Sequence, residues 1–200
     1  MKQLLNTIVA NDTLHSKWLN ALSFMENTGA RKISACENPY EVTFLQLKHV
    51  TEEHRHAYYL KKQIKKLSVP FPERYDTVSL LAPIQTQQYL QRLDIFCVRY
   101  LKETLQLSGA SLRFAAYLLV TYAIEVRADL LYPIYQEVLE THSSKVMVKS
   151  IIAEEQGHLE EMIIQLEAFS PDWEKHAEVI LHYEQQLSLA WLEAITNEIA

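Results

Sequence analysis

The stretch Glu52-Glu53-His54-Arg55-His56 is echoed later in the chain by Glu154-Glu155-Gln156-Gly157-His158. In each copy a glutamate and a histidine stand three apart, a spacing that on an α-helix aims both side chains at one spot on one face. Carboxylate and imidazole at one spot suit a metal ion. With 20 Glu and 8 His in 200 residues, chance supplies about one Glu-x-x-His but only roughly a tenth of a Glu-Glu-x-x-His. The chain has two of the doubled form, so helices are called for at both places.

The rest of the composition agrees. Three Gly and six Pro among many Leu, Ala, Glu, Gln and Lys leave few places for turns, which favours long helices over a sheet of hairpins. An all-α protein is expected, as a single domain over residues 1–200, a length that buries about 70% of the surface its unfolded chain exposes. The net charge of −6 and the interspersed charges give no basic footprint for nucleic acid. Cys36 and Cys97 stand alone, without a Cys-x-x-Cys, which argues against a disulfide framework or an iron–sulfur site and suits a reducing cytoplasm. The apolar run in the first ten residues is broken by Asn6 and lacks the features of a signal peptide. The long apolar stretch 114–135 is interrupted by Glu125, Arg127 and Asp129, so no membrane span is expected.

Along the chain, apolar spacing predicts a first helix from about 12 to 34, with Leu19, Leu22, Ala30 and Ile33 on one face. Glu26 falls in that stripe and points inward, where a lone carboxylate is costly unless it is neutralised, paired or metal-bound. Asn38, Pro39 and Glu41 read as the start of a second helix running to about 67. Glu53 and His56 share its apolar stripe, although Gln46 and His49 put polar groups on the same face. Prolines 70 and 72 mark a connector. A helix from about 86 to 107 carries no ligand set and reads as packing. A long helix from about 110 places Glu125 among Leu118, Tyr122, Ala128, Asp129 and Tyr132, with a kink expected at Pro133. After a turn near 141–144, Val148, Ile151, Ile152, Glu155, His158, Leu159 and Met162 share a face. Ser170-Pro171-Asp172 opens a final amphipathic helix.

The order Glu26, Glu53-x-x-His56, Glu125, Glu155-x-x-His158 resembles the ferritin-like di-iron carboxylate superfamily. Its core is a four-helix bundle with one Glu from each of two helices and a Glu-x-x-His from each of the others. The resemblance covers residues 12–168 and implies a ferritin-like four-helix bundle, with one extra helix between the two hairpins and a C-terminal helix beyond. It implies two irons, or a manganese–iron pair, held by Glu26, Glu53, His56, Glu125, Glu155 and His158. Ribonucleotide-reductase small subunits and bacterial multicomponent monooxygenases also carry an acid just before each Glu-x-x-His. By that analogy Glu52 accepts the free ring N–H of His158, and Glu154 that of His56. Tyr122, one turn before Glu125, and Tyr59, one turn after His56, are candidates for hydrogen bonding near the metals, against the plainer reading of core tyrosines. His49 is expected to be a partly exposed helix residue and Cys97 a small core residue.

The implied activity is that of an O₂-dependent di-iron oxidase or oxygenase acting on a small, largely apolar substrate, served by an electron-donor protein. The alternatives are a bacterioferritin-like protein that oxidises and stores iron, and a bundle that binds metal without catalysis. The extra helix and the bulky final helix favour a small oligomer such as a homodimer over a hollow cage.

Overall fold

A computed structural model describes residues 1–38 and 40–200, and every described element is helical. The helices are α1 (Lys2–Val9), α2 (Asp12–Cys36), α3 (Phe44–Ile64), α4 (Pro83–Leu105), α5 (Gly109–Thr141), α6 (Lys149–Phe169) and α7 (Trp173–Ile199). None is long and apolar enough to cross a membrane.

Local chemistry sets three of the helix starts. The Asn11 side chain accepts hydrogen bonds from the backbone N–H groups of Thr13 and Leu14, capping α2. The second long helix starts later than the Asn38-Pro39-Glu41 signal suggests. Pro39 lies outside the described residues, and it is Thr43 that caps α3, its hydroxyl accepting from the Gln46 N–H at 3.1 Å. Pro83 opens α4 three residues ahead of the expected start, because proline suits a first helical position that needs no N–H donor. α5 runs unbroken through Pro133 to Thr141. The short α1 was not anticipated. It buries Leu5, Ile8 and Val9 against α2 and α5.

α2 lies along α3, and α5 along α6. α4 packs on α2, α5 and α7, so the helix without ligands covers one side of the α2–α5 seam. α5 is surrounded by α1, α2, α4, α6 and α7, and its buried residues therefore occupy nearly its whole circumference. Trp18 of α2 stacks on Trp191 of α7 with ring centroids 5.1 Å apart, and the Trp191 N–H donates to Thr86 of α4. α3 and α6 meet through side chains rather than by close backbone approach. The gap between them is filled by the acidic and imidazole groups singled out in the sequence.

Candidate metal centre

α2 delivers Glu26, α3 Glu53 and His56, α5 Glu125, and α6 Glu155 and His158. Each sits on the inward stripe of its helix: Glu26 between Leu22 and Ala30, Glu53 and His56 in line with Leu60, Glu155 and His158 between Ile151 and Met162. All but Glu26 are almost wholly buried; Glu26 is half-buried.

The six side chains form two overlapping groups. Glu26, Glu53, His56 and Glu155 each offer a ligand atom to the first; Glu53, Glu125, Glu155 and His158 do so to the second. Within each group the offered atoms all lie within 4.8 Å of one another, and Glu53 and Glu155 belong to both. Each could hold a metal ion. Two adjacent positions sharing two carboxylates, each with its own histidine and its own further glutamate, are what this arrangement provides.

Each histidine has its outer nitrogen on the acid that precedes the other motif. His56 Nε2 lies 3.0 Å from Glu154 Oε2, and His158 Nε2 lies 2.7 Å from Glu52 Oε2. A carboxylate only accepts, so each ring keeps its proton on Nε2 and leaves the Nδ1 lone pair facing inward. Neither Nδ1 makes a hydrogen bond, and Glu125 Oε2 makes none either. His56 Nδ1 faces the first group, 3.0 Å from Glu155 Oε1, and His158 Nδ1 and Glu125 Oε2 face the second; buried polar atoms left without hydrogen bonds in each group fit a cation there. Arg55 forms an ion pair with Glu154 and so holds the acid that positions His56.

The electrostatics agree. Burial raises the pKa of Glu26 and pushes Glu53 and Glu155 well above the usual carboxylate range, with the neighbouring carboxylates adding to the rise for the last two. Burial likewise pushes Glu125 up to about 7. Glu26 lies within hydrogen-bonding reach of Glu53, and Glu125 of Glu155, so without a cation these groups retain protons between them. Four carboxylates balance two divalent cations, and hard oxygens with imidazole nitrogens suit iron or manganese.

Tyr122 is not brought to the cluster: its ring packs edge-on against Trp173 of α7. Tyr132 is the tyrosine that is, its hydroxyl donating to Glu26. It lies seven residues after Glu125 on the same helical face, a signal already present in the sequence. His49 is fully buried rather than partly exposed, because α6 covers it. Its Nε2 lies 2.9 Å from Glu161, which also takes Lys48, and its Nδ1 lies 3.3 Å from the Tyr117 hydroxyl. The His49 and His158 rings stand 4.7 Å apart, so this chain of contacts braces the second histidine. Gln46 is buried too and donates to the Ile33 carbonyl at the end of α2. Cys97 is core, and burial pushes its thiol up to about 12; Cys36 is also a free thiol.

No protein-family model, curated protein or solved structure matches this chain.

Proposed function

We propose that α2, α3, α5 and α6 make a ferritin-like bundle around a two-metal centre, and that the protein is an O₂-dependent oxidase or oxygenase of a small, largely apolar molecule. The observation that carries this reading is the pair of four-ligand groups that share Glu53 and Glu155. The histidine rings held from behind by Glu52 and Glu154 add to it.

Bound iron, or a manganese–iron pair, would supply electrons to dioxygen and a positive charge to polarise it. The chain's own part is to place and protect. Glu53 and Glu155 serve both positions, while Glu26 with His56 and Glu125 with His158 complete one each. The Glu52 and Glu154 carboxylates fix the tautomer and the ring angle of the histidines. Tyr132 holds a hydroxyl proton on Glu26, where it limits that carboxylate's freedom to swing. The surrounding Leu22, Leu60, Ile151 and Met162 exclude water from the centre. Apolar cavities open onto Glu26, Glu53 and Glu125, which favours an organic substrate over iron itself as the thing oxidised.

The test is metal content per chain after anaerobic loading with ferrous iron, followed by absorbance on admitting O₂. Two irons and a transient near-ultraviolet or visible band are expected. Absence of metal uptake, or metal inert to O₂, would remove the reading.

A further inference from the structure

Gly29 lies outside both Glu-x-x-His motifs. Gly29 sits in the middle of α2 with ordinary right-handed helical backbone, where alanine would be more favourable by about 1 kcal/mol. A methyl group built there would meet nothing closer than Glu53 Oε2 at 3.7 Å, an ordinary contact. Neither backbone conformation nor crowding calls for glycine at this position. A side chain there would project toward Glu53, into the gap between α2 and α5.

Two cavities border on Gly29. One, of about 30 Å³, is bounded on α2 by Gly29, Lys32, Ile33 and Cys36. The other, of about 60 Å³, is bounded on α2 by Leu22, Met25, Glu26 and Gly29. Gly29, Glu53 and Ile124 are walls of both, so the cavities lie end to end. These α2 residues form one helical face from Leu22 to Cys36, roughly 20 Å long at the α-helical rise. α5 makes the opposite wall in antiparallel sense, Ala116 to Glu125 beside the first cavity and Ile124 to Tyr132 beside the second, and α4 roofs both with Asp94 and Leu90. The inner end lies among the buried Leu22, Tyr89, Leu131 and Trp191. At the other end stand Lys32 and Asp94, partly exposed and paired at 2.8 Å. Glu53 opens onto the join itself, flanked by Glu26 on one side and Glu125 on the other.

We propose that these cavities form one slot for a slim, unbranched aliphatic chain of about six to eight carbons with a neutral hydrogen-bonding head, such as a primary alcohol. At about 10–15 Å³ for each water-sized group, the slot takes a single file of that length. A benzene ring is wider than a single file of carbons, and a cavity that takes one is about 150 Å³ in one place, whereas the space here is divided between two narrow halves. Apart from the three glutamates, Arg127, Thr121 and the mouth, the lining is mostly aliphatic and aromatic, and Arg127 is already taken up by Glu184. The Lys32–Asp94 pair offers a donor and an acceptor together, which a hydroxyl can use without breaking the pair, whereas a charged head would have to displace one partner. With the head at the mouth, the carbons that pass Gly29 and face Glu53 are internal ones.

The proposal deepens the two-metal reading and borrows its site, yet the slot is a property of the side chains alone and is tested separately. Calorimetric titration of 1-octanol into metal-free and ferrous-loaded protein should show binding in both forms. Benzyl alcohol and 2-ethylhexanol should bind at least tenfold more weakly. Gly29→Ala, which puts a methyl group in the join, should weaken 1-octanol at least tenfold while iron uptake per chain stays at the wild-type level and the melting temperature does not fall. Equal binding of the branched, cyclic and linear alcohols, indifference of 1-octanol to Gly29→Ala, or no 1-octanol binding by a protein that takes up two irons would each overturn the slot. Selective 1-octanol binding by a protein that takes up no metal would support the slot and overturn the two-metal reading instead.

Discussion

At the scale of single residues, the centre depends on groups that are costly to bury unless they are partnered. Glu53→Ala and His158→Ala each remove a ligand atom from a buried group, and Glu53 serves both groups; loss of two-metal stoichiometry by metal analysis is expected, with Tyr122→Phe keeping it. Glu154→Ala leaves every ligand in place but frees the outer nitrogen of His56. A loss of about 10- to 100-fold in metal affinity, measured by competition with a chelator, is the usual cost of such a partner. His15 makes a different prediction. Burial pulls its pKa down to about 4, and its Nε2 lies 2.6 Å from the Tyr135 hydroxyl. A histidine kept neutral by the fold contributes stability that is whole above its unfolded pKa near 6.5 and is lost as pH falls toward the folded value. The wild type should therefore lose about 3 kcal/mol relative to His15→Gln between pH 7 and pH 4, read from urea unfolding at each pH. The sequence already singled out Glu26, Glu53, His56, Glu125, Glu155 and His158, because spacing along one helix is enough to put a group on an apolar stripe. It could not separate Tyr122 from Tyr132 as neighbours of the Glu and His cluster. Three residues before Glu125 and seven after it are equally good positions on a helix, and α5 is buried on almost every side.

At the scale of helices, the candidate ligands are held by contacts between elements that stand far apart in sequence. Arg127 of α5 grips Glu184 of α7 through two nitrogens at 2.8 and 2.7 Å, and Tyr89 of α4 donates to the same carboxylate. Glu184 is 2% exposed. Arg127→Met strands a buried carboxylate, and a loss of about 3–5 kcal/mol is expected, measured by denaturant unfolding; Glu184→Gln in the same background should recover part of it. The long helices were readable from spacing, and some of their ends from caps and prolines. The exceptions have physical causes. Thr43 won the α3 cap from the residues near 38 by hydrogen bonding to Gln46. α1 is only eight residues long, too short to be stable as an isolated helix, and forms because Leu5, Ile8 and Val9 find α2 and α5 to pack on.

At the scale of the whole molecule, the buried carboxylates make stability depend on metal and pH together. In the metal-free protein Glu53, Glu125 and Glu155 have folded pKa values above their unfolded ones. Their contribution is favourable at low pH, and stability is lost as pH rises above about 4.5 through the raised values, about 7 for Glu125. Bound cations take the place of those protons. The gain in melting temperature on loading ferrous iron anaerobically should therefore be larger at pH 8 than at pH 5.5, and calorimetry at the two values would show it. A constant gain would mean that metal binds elsewhere.

The sequence by itself determined the long helices and the six inward Glu and His residues that could hold metal, with their order, because each follows from periodicity within one segment and from the cost of burying a carboxylate. Only the tertiary structure decided which helices face each other. That choice sets Glu52 against His158 and Glu154 against His56, buries His49 under Glu161, and leaves the Gly29 seam open between α2 and α5. These are contacts between segments many residues apart, set by how apolar faces close on one another, and no spacing along a single helix encodes them.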